Sequence, residues 1–162
     1  RRSGCFSRAW TLFISIHANS HPNSAVNGIE TYVLNIATDK EAMRVAVREN
    51  AATTKNMSDL QAILKDLMLN SKIAESGGLG AKVHRALIGS VNKKSKVHDL
   101  GIKQAPFYVL IGANMPSILV EMGFISNKMD EERLRDRRYL ELLADGIVEG
   151  IRAYIGSIKK AG

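Results

Sequence analysis

Two ionisable side chains stand where buried strands of the sequence are predicted to end. His17 follows the apolar run of residues 11–16, and Glu121 closes the run that starts at Ser117. Neutral imidazole is a common metal ligand, and a carboxyl group removed from water has a raised pKa that suits proton transfer near neutral pH. His17 is therefore either a metal ligand or catalyst or a hydrogen-bonded loop histidine. Glu121 is either a general acid and base or one half of an ion pair.

Two further polar residues lie near the same strand ends. Glu30 lies inside a second apolar run, residues 28–35, where it is either an edge-face residue or a hydrogen-bonding partner that orients His17 or a metal-bound water. Asn19 follows the first strand and either lines a polar cleft or acts only as a turn residue. The other histidines lack the paired spacing of metal ligands and are interpreted as surface or loop residues: His21, His84 and His98.

The elements that must position these residues alternate between strands and helices. Short apolar or β-branched runs predict strands over residues 11–16, 28–35, 106–112 and 117–121. Helical spacing of apolar residues predicts helices over residues 40–50, 58–69, 81–88 and 130–158. The last two strands are continuously apolar, which is typical of strands buried on both faces. The sequence therefore predicts a single α/β domain with a mixed central sheet flanked by helices, of a phosphorylase/hydrolase-like type.

Composition narrows the class of protein further. The 162 residues are 45% hydrophobic and 24% charged, which fits one globular core, and no apolar run is long enough to cross a bilayer. The net charge of +7 favours polyanions such as nucleic acid, anionic lipid or anionic wall polymers. The basic residues are dispersed without interleaved aromatic side chains, which argues against nucleic acid. Cys5 is the only cysteine, which excludes an intrachain disulfide and a cysteine-based zinc cluster.

Three segments together resemble the zinc-dependent N-acetylmuramoyl-L-alanine amidases, the type 3 family of bacterial cell-wall amidases. They are FISIHAN at 13–19, GIETY at 28–32 and MPSILVEMGFISN at 115–127, and GIKQAPFYVL at 101–110 and ADGIVEGI at 144–151 extend the similarity. The resemblance implies that His17 binds zinc and that Glu121 is the catalytic acid and base. It implies for Asn19 and Glu30 positions near the cleft that bind substrate or support the metal site.

The same resemblance implies an activity and a compartment. The expected reaction is zinc-dependent hydrolysis of the amide between N-acetylmuramic acid and L-alanine in peptidoglycan. Peptidoglycan is the expected partner, without nucleic acid or membrane insertion, and the expected protein is a periplasmic or extracellular monomer whose signal peptide is not in this chain. The alternative is a non-catalytic module that binds peptidoglycan or a partner protein and keeps the amidase fold.

The sequence departs from the family pattern at its beginning. Family members carry an earlier strand and helix with a DPGHGG-like histidine and a glutamate as two further zinc ligands, and neither segment is present. Residues 1–162 are therefore expected to be an amidase catalytic domain truncated at its N-terminus, with weak zinc binding and little activity. Some relatives also carry a long helical insertion that blocks the cleft after the GIETY strand. Only about thirty residues separate Leu34 from Leu64, which predicts an open cleft.

Overall fold

The computed structural model describes residues 12–35, 40–52, 71–111 and 113–159. Its strands are Phe13–Asn19 (β1), Ile29–Leu34 (β2), Asp99–Ala105 (β3) and Ser117–Phe124 (β4). Its α-helices are Lys40–Glu49 (α1), Ser71–Val91 (α2), Lys128–Arg135 (α3) and Arg137–Lys159 (α4). Short 3₁₀ helices cover Asn50–Ala52 and Tyr108–Leu110. The helix predicted over residues 58–69 lies outside the described residues.

The four strands form one mixed sheet in the order β1-β4-β2-β3. β1 runs parallel to β4, and β2 runs parallel to β3, whereas the central pair of β2 and β4 is antiparallel. The predicted mixed sheet with flanking helices is therefore confirmed. β2 and β4 are the central strands of the sheet, which accounts for their apolar sequences.

The two faces of the sheet have different roles because side chains alternate along each strand. One face packs against α2 and α4, and the sheet contributes to this core Ile29, Val33, Ile118 and Val120. The opposite face packs Tyr32 and Leu119 against α1 and the segment that follows β3. Glu30 and Glu121 each neighbour a residue of the first face in sequence, so they point to the second face. Both carboxylates consequently lie on the side of the sheet that α1 covers.

Two glycines set the distance between α2 and α4. A Cβ atom at Gly146 would lie 2.6 Å from the Cα of Leu87, and one at Gly150 would lie 2.4 Å from the Cα of Val83. No side chain can occupy either position unless the helices separate. The helices therefore meet backbone to backbone, and this contact brings Leu143 and Ile147 into the core over the sheet.

His84 links α2 to two strands. Its Nδ1 lies 2.9 Å from the Thr31 hydroxyl oxygen, and its Nε2 lies 2.7 Å from an Asp99 carboxylate oxygen. Burial raises the pKa of Asp99, but hydrogen bonds from His84 and from the Gly101 amide outweigh it and leave that pKa below its ordinary value. The interpretation of His84 as a surface or loop histidine is wrong, because its side chain is buried and satisfied on both ring nitrogens.

The predicted strand over residues 106–112 is also wrong. The strand is β3, which ends at Ala105, and the chain then turns because Pro106 has no amide hydrogen to continue a ladder. Asn50 holds this turn: its Nδ2 donates to the Pro106 carbonyl, and its Oδ1 accepts from the Tyr108 amide. An apolar residue is needed at position 107 because the Phe107 ring packs edge-on against the Tyr32 ring, with the ring centroids 4.8 Å apart.

The remaining differences concern the ends of elements. The predicted final helix is two helices, because Asp136 is extended between α3 and α4 and accepts a hydrogen bond from the Arg138 amide. The helix predicted over residues 81–88 is longer and runs through Gly77 and Gly78, since packing on the sheet overrides their weak helix propensity. Among the described helices, none is both long and apolar enough to cross a bilayer.

The backbone contact between α2 and α4 gives a matched pair of substitutions. Gly150→Ala is expected to lower the free energy of unfolding by at least about 2 kcal/mol, because the added Cβ has no space beside Val83. Gly156→Ala lies on the same helix with no heavy atom within 4 Å, and a gain of up to ~1 kcal/mol is expected there. Urea unfolding of both variants measures the difference. Equal effects would show that the helices do not meet as closely as described.

Candidate metal and proton-transfer site

His17 lies inside β1, not in the loop that follows it, so its predicted placement is wrong by a few residues. The parallel pairing with β4 continues through the partners His17 and Glu121, and the register shifts only between His17 and Asn19. The side chain points to the face covered by α1, where its Nε2 lies 2.9 Å from the Ser15 hydroxyl oxygen. β1 and β4 therefore place the two predicted functional residues side by side.

Glu121 is fully buried, and neither of its carboxyl oxygens has a hydrogen-bond partner among the described residues. Burial above all, and then the nearby carboxylates of Glu49 and Glu30, raise the pKa of this carboxyl to about 8, and Arg48 opposes them weakly. An unpaired buried carboxyl costs stability, and functional sites are where such costs are usually found. The geometry suits a group that carries a proton near neutral pH.

Glu30 is as deeply buried as Glu121, but its oxygens are satisfied. Oε1 accepts hydrogen bonds from Asn19 Nδ2 at 2.6 Å and from the Tyr32 hydroxyl at 2.9 Å, and Oε2 lies 2.7 Å from the ammonium of Lys103. Glu30 stands opposite Glu121 in the antiparallel pair of central strands. The predicted polar residues Asn19 and Glu30 thus form one buried network beside Glu121.

The last turn of α1 reaches this network. Glu49 Oε2 lies 3.1 Å from His17 Nδ1, and the guanidinium of Arg48 donates to the Asn19 side-chain oxygen and to the Ser20 carbonyl. The side chains of Arg48 and Glu49 border His17, whose side chain remains 31% exposed. The open cleft therefore stays a prediction.

Three side chains offer donor atoms to one point in space. One atom each from His17, Glu49 and Glu121 lies within 4.8 Å of the others, close enough to share a metal ion. His17 offers an imidazole nitrogen and Glu49 a carboxylate oxygen, both of which are ligand types of catalytic zinc centres, and the unpartnered oxygens of Glu121 lie beside them. The residues present therefore fit a metal.

The sequence identified two of these three residues. Glu49 was missed because nothing in the local pattern of residues 40–50 separates it from the other charged residues of an amphipathic helix. Only the path of α1 back across the sheet brings it to His17. His21, in contrast, lies 3.4 Å from the Glu41 carboxylate at the other end of α1, outside this cluster.

The unpaired carboxyl predicts how stability depends on pH. A carboxyl whose pKa rises on folding destabilises the fold above its unfolded pKa of 4.5, and the penalty grows until the pH reaches about 8. In the metal-free chain, Glu121→Gln is therefore expected to leave stability unchanged at low pH. Near pH 8 it should raise stability by a few kcal/mol, at ~1.4 kcal/mol per pK unit.

Thermal unfolding of metal-free protein across this pH range measures the effect. Glu132→Gln, which neutralises an exposed carboxylate on α3, is the control and should change stability by less than about 0.5 kcal/mol. A difference between Glu121→Gln and the parent that does not vary with pH would contradict the raised pKa.

Comparison with known proteins places this site in a family. The sequence profile of the N-acetylmuramoyl-L-alanine amidases matches residues 7–153. N-acetylmuramoyl-L-alanine amidase AmiC of Escherichia coli O6:H1 is 32% identical over 155 residues, with 88% of this chain and 35% of AmiC covered. AmiA of Escherichia coli K12 is 32% identical over 152 residues, with 88% of this chain and 51% of AmiA covered. The chain thus spans between about a third and half of the length of these relatives.

Solved structures agree with this relationship. The catalytic domain of the amidase CwlV from Bacillus (Paenibacillus) polymyxa superposes with a TM-score of 0.59 at 27% identity, covering 90% of this chain and 57% of that one. The amidase AmiC2 of Nostoc punctiforme gives a TM-score of 0.60 at 28% identity, covering 90% and 58%. Since the family profile spans most of the sequence and the fold agrees, the chain belongs to the N-acetylmuramoyl-L-alanine amidase family.

Proposed function

We propose that the chain is the catalytic part of a zinc-dependent N-acetylmuramoyl-L-alanine amidase, which hydrolyses the amide between the lactyl carbonyl of N-acetylmuramic acid and the amine of L-alanine in peptidoglycan. The observation that carries the proposal is the cluster of His17, Glu49 and Glu121, whose donor atoms converge beside a buried carboxyl without other partners. Membership of the amidase family supplies the substrate class.

His17 and Glu49 would hold the zinc ion. The two ring nitrogens of His17 lie within hydrogen-bonding distance of Ser15 and Glu49, so one nitrogen would bind the ion while the partner of the other keeps the ring oriented. Bound there, zinc would polarise the substrate carbonyl and lower the pKa of a water molecule to about 7.

Glu121 moves the proton of the reaction. Hydrolysis consumes one water molecule, releases the muramyl carboxyl group and requires a proton on the departing amide nitrogen. The Glu121 carboxyl lies beside the donor atoms of His17 and Glu49, where it can accept a proton from water and return it to that nitrogen. Burial beside His17 keeps this proton away from bulk solvent.

Asn19, Glu30 and Lys103 support the proton carrier. Asn19 Nδ2 and the Lys103 ammonium fix the two oxygens of Glu30, and Glu30 faces Glu121 across the central strand pair. The fixed negative charge of Glu30 favours the protonated form of Glu121. Asn19 also accepts from Arg48, so its side-chain oxygen becomes available to substrate only when the Arg48 guanidinium moves.

The proposed setting is the bacterial cell envelope, in the periplasm or outside the cell, with peptidoglycan as the partner. A non-catalytic module that binds peptidoglycan is the second candidate. The observation that favours it is the contact of α1 with the site, in which Arg48 donates to Asn19 and Glu49 lies beside His17. The two candidates differ in whether the amide bond is cleaved.

Metal binding by this chain is the first test. Titration of the metal-free protein with Zn²⁺ is expected to show one bound ion, and His17→Ala and Glu49→Gln are each expected to weaken binding by at least about tenfold, because each removes a donor atom. Glu41→Gln, on the same helix but outside the cluster, is the matched control and should leave affinity unchanged. Equal zinc affinity in all four proteins would contradict the assigned ligands.

Bond cleavage is the second test. The zinc-loaded chain is expected to release free L-alanine amino groups and muramyl carboxyl groups from purified peptidoglycan, both of which mass spectrometry of the soluble products identifies. Glu121→Gln is expected to keep the bound zinc and lose about 10²- to 10⁴-fold in kcat, the usual contribution of one proton-transfer group. Binding to peptidoglycan without these products would favour the non-catalytic module.

A further inference from the structure

A cationic cleft lies between α2 and α4, on the face of the sheet opposite to His17 and Glu121. It has a volume of about 360 Å³. Lys82, Arg85 and Lys93 line it from α2 and the turn that follows, and Glu149 lines it from α4. Three positive charges against one negative charge leave the cleft with a net charge of 3 − 1 = +2.

The three cations of the cleft lie close together without partners of their own. Several other basic side chains of the described helices form ion pairs, as in Lys72 with Glu75 and Arg135 with Glu131. In the part of the chain that the structure describes, no ion pair or hydrogen bond involves the side chains of Lys82, Arg85 or Lys93. Glu149 is the one acidic residue that lines the cleft, so its positive charge is only partly compensated.

The fold does not account for this arrangement. Lys93 follows the C-terminus of α2, where a cation is favoured by the helix dipole. Lys82 and Arg85 lie in the middle of the same helix, where the dipole gives no such benefit, and like charges three residues apart repel each other. Placing these two cations next to each other costs helix stability, which an anionic ligand would offset.

The shape of the cleft suits an extended ligand. Its floor consists of small residues, Ala86, Gly89 and Ala153, and a Cβ atom at Gly89 would meet no heavy atom within 4 Å. Lys82 and Arg85 lie about 4.5 Å apart along the axis of α2, and Lys93 follows the end of this helix. A flexible chain with several anions can therefore lie along α2 and contact all three.

We infer that the cleft between α2 and α4 binds a linear phosphodiester polymer of the cell envelope through Lys82, Arg85 and Lys93, and so holds the protein on the wall. This inference rests on the proposed function, which brings the chain to the wall. The cleft contains no aromatic side chain on which nucleobases could stack, and no large exposed apolar side chain that could enter a lipid bilayer. A phosphodiester backbone needs neither and is recognised by its charge alone.

Binding of poly(glycerol phosphate) to the 162-residue chain tests the inference. The double variant Lys82→Gln/Arg85→Gln is expected to bind at least about tenfold more weakly at low salt, and its dependence of log K on log salt should be shallower by about two. The control, Lys128→Gln/Arg138→Gln, removes the same net charge from exposed positions on α3 and α4 and should bind like the parent. Lys93→Gln, outside the helix, gives a second variant that leaves α2 intact.

The outcomes are distinct. Loss of binding in the cleft variants, with binding kept in the control, supports the inference. Equal loss in both double variants would mean that net charge alone attracts the polymer and would overturn it, as would tighter binding of single-stranded DNA or of anionic vesicles than of the polymer. Hydrolysis of a small soluble muropeptide should be the same in the parent and all these variants, so a failed amidase activity and a failed polymer site are recognised separately.

Discussion

Two buried carboxyl groups lie opposite each other across the antiparallel pair of β2 and β4, and the rest of the site depends on their different environments. Glu30 is held by Asn19, Tyr32 and Lys103, so its negative charge is compensated. Glu121 receives no hydrogen bond from the described residues, and burial and the charges of its neighbours raise its pKa to about 8. The register of the two central strands fixes the backbone positions of Glu30 and Glu121, so the two residues cannot move apart.

Because side chains alternate along a strand, one face of the sheet can carry the unpaired carboxyl of Glu121 while the other face forms a stable core. Val120 and Glu121 are adjacent in sequence, yet Val120 packs among α2 and α4 while Glu121 points to α1. The close contact of α2 and α4 at Gly146 and Gly150 stabilises the sheet from the first face. The second face can therefore carry an unpaired carboxyl at a cost that the protein tolerates.

The sequence predicts those elements and residues that a local pattern determines, and it misses those that depend on long-range packing. The apolar run before Glu121 identified β4, and its continuous hydrophobicity indicated a central strand, which is what the structure shows. β3 was missed because its sequence DLGIKQA mixes polar and apolar residues, as edge strands do, while the more hydrophobic residues 106–111 are needed to pack a turn. Glu49 and His84 were not identified, since their partners lie 32 and 53 residues away in sequence.

The position of α1 is coupled to the chemistry of the site. Its buried residues are small, Ala42, Val45 and Ala46, so apolar burial contributes only a few kcal/mol to its docking. Polar contacts at its last turn, from Arg48 to Asn19 and from Glu49 to His17, supply the rest. A ligand that competes for His17 or Asn19 therefore weakens the docking of α1, and by linkage anything that draws α1 away raises the affinity for that ligand by the same factor. A zinc ion that kept Glu49 as a ligand would act in the opposite sense and hold α1 against the sheet.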